Sequence, residues 1–194
     1  MTILNLKQAY CKLDKDQRFY QLDRPLIGIT GGIATGKSTC TKYLTKLGYP
    51  LIDADRLVKQ IYTKSETVNF IREIDSKYIS NDQIDFPSLR KDVFEDTKLK
   101  TKIESFIYSH LPATFKAQLT NLESKGALFY DIPLLFEKDL AAQFDISICV
   151  YTEPNTQFER LLKRDGISED GARAIISQQM PIDEKAEKAD FVWN

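Results

Sequence analysis

The residues with the most evident chemistry are Gly31-Gly32-Ile33-Ala34-Thr35-Gly36-Lys37-Ser38, which fit G-x-x-x-x-G-K-[ST] at every fixed position. Glycines at these places let the backbone curl until successive N–H groups point inward at phosphate oxygens. A helix that starts in such a loop presents its positive end to the same anion. In this pattern Lys37 reaches the β- and γ-phosphates, and the Ser38 hydroxyl ligates Mg²⁺. The stretch Gly32, Ile33, Ala34, Thr35, Gly36, Lys37, Ser38 and Thr39 is therefore expected to line a nucleoside triphosphate, with Ser38 as the metal ligand.

Three carboxylates are candidates for the rest of the chemistry. Asp53 and Asp55 follow the short apolar run Leu51-Ile52, and Asp131 ends the run Ala127-Leu128-Phe129-Tyr130. A kinase acting on a hydroxyl needs a carboxylate near the acceptor oxygen to take its proton. Two aspartates at i and i+2 can divide that work, one orienting and one acting as base. A plainer explanation is a turn acid or helix cap. Asp131 could hold Mg²⁺ through water or orient the acceptor. Arg160 and Arg164 lie four apart and share a helix face, where they can close over phosphates and spread the charge of the transition state.

The missing motifs narrow the class. A GTPase normally carries D-x-x-G and N-K-x-D, and neither occurs here. A motor or transport ATPase usually ends a strand in Asp-Glu, whereas this chain reads Asp131-Ile132-Pro133. Both absences favour transfer to a small molecule over hydrolysis. Composition agrees. Lys plus Arg total 27 against 28 Asp plus Glu, a net charge of −1, which argues against a nucleic-acid binder working by bulk charge. A single histidine, His110, rules out a two-His metal site within the chain. Cys11, Cys40 and Cys149 are odd in number and form no C-x-x-C pair, as fits a reducing compartment. No stretch approaches the roughly 20 apolar residues of a membrane span, and Met1 to Arg24 contains no secretory h-region. These features together give an expectation of a cytoplasmic protein with no membrane partner.

The elements that must position these residues are legible in outline. Pro25–Thr30 reads as a buried strand. A helix follows from Lys37, with Cys40, Tyr43, Leu44 and Leu47 as its apolar stripe, Gly48 at its C-terminal cap and Pro50 beyond. Leu51-Ile52, Ala127–Tyr130, Ile146–Val150 and Phe191–Trp193 are further strands, and Thr156–Arg164 and Ser168–Gln179 are helices. Between them, residues 56–120 are mostly helical in pattern, with Leu57, Val58, Ile61, Val68, Ile71, Ile74, Leu89, Val93, Phe94, Ile103, Phe106 and Ile107 apolar and a turn at Ser80-Asn81-Asp82. Alternating strands and helices predict an α/β fold with a mostly parallel, P-loop NTPase-type sheet flanked by helices. In residues 1–24, Leu6, Tyr10 and Leu13 are spaced to line a short surface helix.

The run from Ile27 through Thr39 resembles the opening of dephospho-CoA kinases, and so does Gly48-Tyr49-Pro50-Leu51-Ile52-Asp53-Ala54-Asp55 behind it. Leu89, Val93-Phe94 and Asp96 are similar to that family's middle segment. Asp131-Ile132-Pro133-Leu134-Leu135-Phe136-Glu137 resembles its D-[IV]-P-L-L-F-E motif. Arg160 through Gly166, Gln179-Met180-Pro181, and Lys185 with Ala189-Asp190 continue the match, so that it covers about residues 26–193. The resemblance implies ATP-dependent phosphorylation of the ribose 3′-hydroxyl of dephospho-CoA to coenzyme A and ADP with Mg²⁺, the last step of coenzyme A synthesis. It implies an N-terminal extension at 1–24, a nucleotide-binding core at 25–57, 116–151 and 173–194, a helical CoA-binding insertion at 58–115 and a lid at 152–172. It makes Asp55 the base, with Lys37 and Arg164 as further catalytic groups and Arg160 on ATP. Asp53, Asp131 and Leu134 fall on the acceptor side. The family's His-Pro pair is displaced here, since Tyr108 and Ser109 occupy its positions ahead of His110 and Pro112.

Overall fold

The structure, a computed structural model, describes residues 3–122 and 126–194. Met1, Thr2 and residues 123–125, which fall inside the ranges expected for the extension and the core, lie outside the described residues. The chain runs through β1 (Leu26–Gly31), α1 (Lys37–Lys46) and β2 (Leu51–Asp53), then α2 (Ala54–Tyr62), α3 (Ser65–Ile74), β3 (Ile79–Ser80), β4 (Gln83–Ile84), α4 (Phe86–Glu95) and α5 (Thr97–Thr120). It continues with β5 (Leu128–Asp131), β6 (Ile146–Val150), α6 (Pro154–Asp165), α7 (Glu169–Ile176), α8 (Ile182–Lys188) and β7 (Phe191–Trp193). These form two compact units, one of Met1–Asp53 with Leu122–Asn194 and one of Ala54–Asn121.

The first unit is built on a parallel five-stranded sheet in the order β2-β5-β1-β6-β7. Both faces of β1 are covered, and all six of its residues are buried, which explains why it reads as a continuous apolar run rather than an alternation. One face of the sheet, carrying Ile27, Ile29 and Phe129, packs with Cys40 and Leu44 of α1. On the other, Tyr130 lies parallel to Phe144 at 6.2 Å. The buried side of α1 is Cys40, Thr41 and Leu44. Tyr43 and Leu47, expected in the stripe, are exposed. Tyr43 instead meets Trp193 edge-on at 6.5 Å, and Thr41 takes the inner position because its hydroxyl donates within the helix to the Ser38 carbonyl. Gly48, at φ 80°, ends α1 as the pattern predicts. Its N–H donates to the Thr45 carbonyl and that of Tyr49 to the Leu44 carbonyl, the paired bonds of a Schellman cap.

Residues 3–24 form no α-helix. Only short 3-10 turns occur, at Gln8–Tyr10 and Phe19–Gln21, because this segment spends its polar groups on the sheet unit instead of on itself. The Ala127 N–H donates to the Leu4 carbonyl at 2.8 Å, and Leu4 and Leu6 pack against the core. Phe19 is buried and stacks on Phe144 at 5.6 Å. Arg18 donates through Nε and Nη2 to the two oxygens of Asp145 at 2.7 and 3.1 Å, and Asp145 also accepts the N–H groups of Leu26 and Leu13. Burial raises the proton affinity of Asp145, but Arg18 and the two backbone N–H groups outweigh it and hold the carboxyl below its usual range. Since the native group binds its proton less tightly than the unfolded one, this stabilisation is complete above about pH 4 and is lost as pH falls below it. Arg18→Met should therefore lower stability by about 2 kcal/mol at neutral pH. In thermal melts the gap from the parent should narrow steadily below about pH 4; a gap independent of pH would refute the assignment.

The second unit has its own core of Ile61, Ile71, Tyr78, Leu89, Ile103 and Ile107. Phe94, expected on an apolar face, is 86% exposed. The Ser80-Asn81-Asp82 turn proves to be the tip of a two-stranded hairpin within the helical unit. Ile79 pairs with Ile84 and Ser80 with Gln83, and Asn81 and Asp82 both have positive φ, as a type I′ turn requires. The unit reaches a few residues beyond 58–115 at each end, because α2 begins directly after β2 and α5 runs unbroken to Thr120. His110 lies on the Phe106 ring at 4.3 Å and its Nδ1 is 2.7 Å from the Phe106 carbonyl, a local helix contact. Among the described residues no helix is long and apolar enough to cross a membrane.

Candidate active site

The site of the sheet unit is at the C-terminal edge of the parallel strands, where β1 runs into the glycine-rich loop. Gly36 has φ 99° and caps α1 without any side-chain hydrogen bond. A left-handed glycine here turns the loop into the helix and leaves the first N–H groups of α1 open for an anion. Thr35 is buried, and its hydroxyl donates to the Gly32 carbonyl at 2.9 Å, which closes the loop from inside. Ser38 and Thr39, in the first turn of α1, are exposed.

Two of the carboxylates are neighbours by register. Asp53 ends β2 and Asp131 ends β5, and they are directly paired across those strands. Lys37 Nζ is bonded to Asp131 Oδ1, with both side chains largely buried. The structure thus brings Lys37, Asp131 and Asp53 together beside the loop. Asp55 belongs to the other unit, in the first turn of α2 and two residues further along the chain, where it is exposed. Hard oxygen donors such as the Ser38 hydroxyl and these carboxylates suit Mg²⁺, which takes only one or two protein oxygens and completes its shell with phosphate and water.

The two arginines of α6 are placed differently. Arg160 Nη1 lies 4.0 Å from where a Cβ on Gly36 would sit, against the loop. Arg164 is turned away onto Asp165, with Nε–Oδ1 2.6 Å and Nη2–Oδ2 2.9 Å. Gly166, at φ 62°, ends α6, and Ser168 caps α7 by accepting the Gly171 N–H. Leu134, after Pro133, is partly exposed.

Sequence reasoning gave no role to several residues that build this edge. Lys185 of α8 is fully buried and pairs with Glu137 at 2.6 Å. Its ammonium also donates to the Pro133 carbonyl at 2.9 Å, which accepts the Thr30 hydroxyl as well. Glu137 accepts the Met180 N–H at 3.1 Å. Together these bonds fix the turn that follows Asp131. Gln157 and Gln179 each hold the glycine-rich loop, at opposite sides of Ile33. The resemblance picked out Glu137, Gln179 and Lys185 by position but gave them no role, and Gln157 carried no signal. Burial raises the Cys40 and Cys149 thiols to about 11, so neither is a nucleophile at neutral pH.

The family model described as dephospho-CoA kinase matches residues 25–194. A dephospho-CoA kinase of Bacillus anthracis is 36% identical over 174 residues, covering 87% of each chain. Among solved structures, a Thermus thermophilus protein superposes with a TM-score of 0.78 at 28% identity, covering 87% of both chains. A dephospho-CoA kinase from Campylobacter jejuni superposes with a TM-score of 0.60 at 29% identity, covering 87% of this chain and 86% of that one.

Proposed function

Because this chain belongs to the dephospho-CoA kinase family, we infer that it transfers a phosphoryl group from ATP to the ribose 3′-hydroxyl of dephospho-CoA, giving coenzyme A and ADP. The observation that carries this reading is the joining of the glycine-rich loop, Lys37 and the register-paired Asp53 and Asp131 at one strand edge. A transferred phosphoryl group needs positioning and charge neutralisation more than covalent help, and this edge supplies both.

In the mechanism proposed, the loop from Gly32 to Thr39 holds the ATP phosphates, with the backbone N–H groups of Lys37 and Ser38 at the start of α1 turned to the anion, while the Ile33 N–H stays on Gln179 and the Thr35 N–H on the Gly32 carbonyl. Lys37 moves from Asp131 onto the phosphate oxygens. Mg²⁺ would be held by Ser38, and when bound it neutralises charge on the transferring group. Asp131 and Asp53 orient the acceptor, with Leu134 against its apolar part. Asp55 takes the 3′-hydroxyl proton as the oxygen attacks phosphorus in line, and ADP leaves. Arg160 adds positive charge beside the loop, and Arg164 joins it only after releasing Asp165. The helical unit Ala54–Asn121 is proposed to bind the remainder of dephospho-CoA. We propose that this chain works in the cytoplasm, with ATP and dephospho-CoA as its partners and neither membrane nor nucleic acid.

The test is ADP formation from ATP and Mg²⁺ with dephospho-CoA, with nucleoside monophosphates, or with no acceptor. ADP produced only with dephospho-CoA, with coenzyme A as co-product, is the expected result. ADP produced with another acceptor and not with dephospho-CoA would overturn the assignment.

A further inference from the structure

We propose that Gln157 and Gln179 are positioning residues for phosphoryl transfer, which clamp Ile33 from both sides and hold the crest of the phosphate loop in its binding shape. Gln157 Nε2 donates to the Ile33 carbonyl at 2.8 Å, and the Ile33 N–H donates to Gln179 Oε1 at 2.8 Å. Both backbone polar groups of one loop residue are thus held by side chains more than a hundred residues away in sequence. The chemistry of the backbone also fixes which end of each amide faces Ile33: an N–H can only donate and a carbonyl can only accept.

Two further observations support the clamp. A Cβ on Gly32 would fall 2.5 Å from Gln157 Nε2. Gly32 therefore lacks a side chain where Gln157 needs the space, and Gln157 itself is 4% exposed. Next to Ile33, Ala34 has φ 60°, a left-handed conformation that a residue with a Cβ keeps only when its surroundings over-determine it. The clamp on Ile33 is that surrounding. Together with the Thr35 N–H, which donates to the Gly32 carbonyl, it fixes the curl of the loop ahead of Gly36 and the start of α1.

The clamp also connects the loop to the rest of the site. Gln157 lies three residues before Arg160 on α6, so both project from one face, and α6 touches the loop at its crest and beside Gly36. Gln179 is followed by Met180, whose N–H is held by Glu137, the partner of buried Lys185. Loop shape and the turn after Asp131 are thereby linked through Gln179, Met180 and Glu137, and α6 brings Arg160 to the same loop. This inference rests on the reading that the loop binds ATP.

The two hydrogen bonds run in opposite senses, which makes the test specific. In the full chain, Gln157→Leu and Gln179→Leu should each raise the dissociation constant of a non-hydrolysable ATP analogue about tenfold, as expected for a lost hydrogen bond and an orphaned polar group. The KM for dephospho-CoA should not change. Both glutamate variants add a negative charge beside the loop and are therefore compared with each other: Gln179→Glu keeps an accepting oxygen and should bind the analogue about tenfold more tightly than Gln157→Glu, which keeps no donor. If the leucine variants do not fold, the two glutamate variants carry the same comparison. Parent-like affinity in both leucine variants, or equal behaviour of the two glutamate variants, would overturn the clamp. Analogue binding is measured without acceptor, so a failure of the parent to phosphorylate dephospho-CoA would count against the acceptor and not against the clamp.

Discussion

Asp55→Asn is expected to lower turnover by about 10²- to 10⁴-fold, the range for removing a general base, the role proposed for Asp55, while ATP affinity should stay within about twofold. Asparagine has nearly the size of aspartate and keeps an accepting oxygen, so it can still orient a hydroxyl; it cannot take the proton. A fall in kcat and in kcat/KM for dephospho-CoA by the same factor is the signature of a group that acts only in the transition state. Asp55 is exposed in the first turn of α2, so loss of its charge should cost no more than about 1 kcal/mol of stability. The measurement is steady-state ADP release with dephospho-CoA varied, beside calorimetric titration of the ATP analogue. Undiminished turnover would assign the proton to another acceptor, for which Asp53, two residues earlier, is next in line.

Lys185→Met is expected to destabilise the chain by about 3–5 kcal/mol, the usual effect of breaking a buried ion pair from one side. The ammonium is wholly buried, and its removal leaves the Glu137 carboxylate facing the Pro133 carbonyl with no cation between them. Glu137 Oε2 is already buried without a hydrogen-bond partner among the described residues, so the lost attraction cannot be recovered there. For a chain of this size the melting temperature should fall by about 6–20 °C. Adding Glu137→Gln to Lys185→Met should restore a large part of that loss, because the second change removes the stranded charge. A drop under about 1 kcal/mol for Lys185→Met alone would mean that the pair contributes little net energy, and the double variant would then show no recovery.

The legibility of this molecule in its sequence follows from what each residue must satisfy. The loop was readable because its chemistry is local: glycines, Lys37 and Ser38 must stand at fixed spacing for backbone N–H groups and a side chain to meet one phosphate chain. Strands buried on both faces were readable as continuous apolar runs, and Gly48 as a helix stop. The face of α1 was misjudged at Tyr43 and Leu47 because a tyrosine can cover a surface while Thr41, satisfied within its own helix, can be buried. The docking of residues 3–24 left no periodic trace, since Arg18 and Phe19 find their partners only through a fold that brings Asp145 and Phe144 beside them. Gln179 stood out only through the family resemblance, and nothing in the sequence showed that it and Gln157 meet at Ile33. A polar side chain gives no sign in one dimension of whether it will meet water or the backbone of a loop more than a hundred positions away.

The strand order has a consequence for synthesis on the ribosome. β1 emerges about a hundred residues ahead of both its neighbours, since Leu26 pairs with Leu128 and Ile27 with Ile146. Until those residues leave the exit tunnel, the strand that carries the phosphate loop has no partner on either side. The intervening Ala54–Asn121 unit is contiguous and holds its own core, so it can compact while the sheet waits. Non-local parallel pairing forms slowly once it becomes possible. Competence to bind nucleotide therefore arrives only after β5 and β6 have emerged, and nascent chains stalled before β6 should retain no ATP.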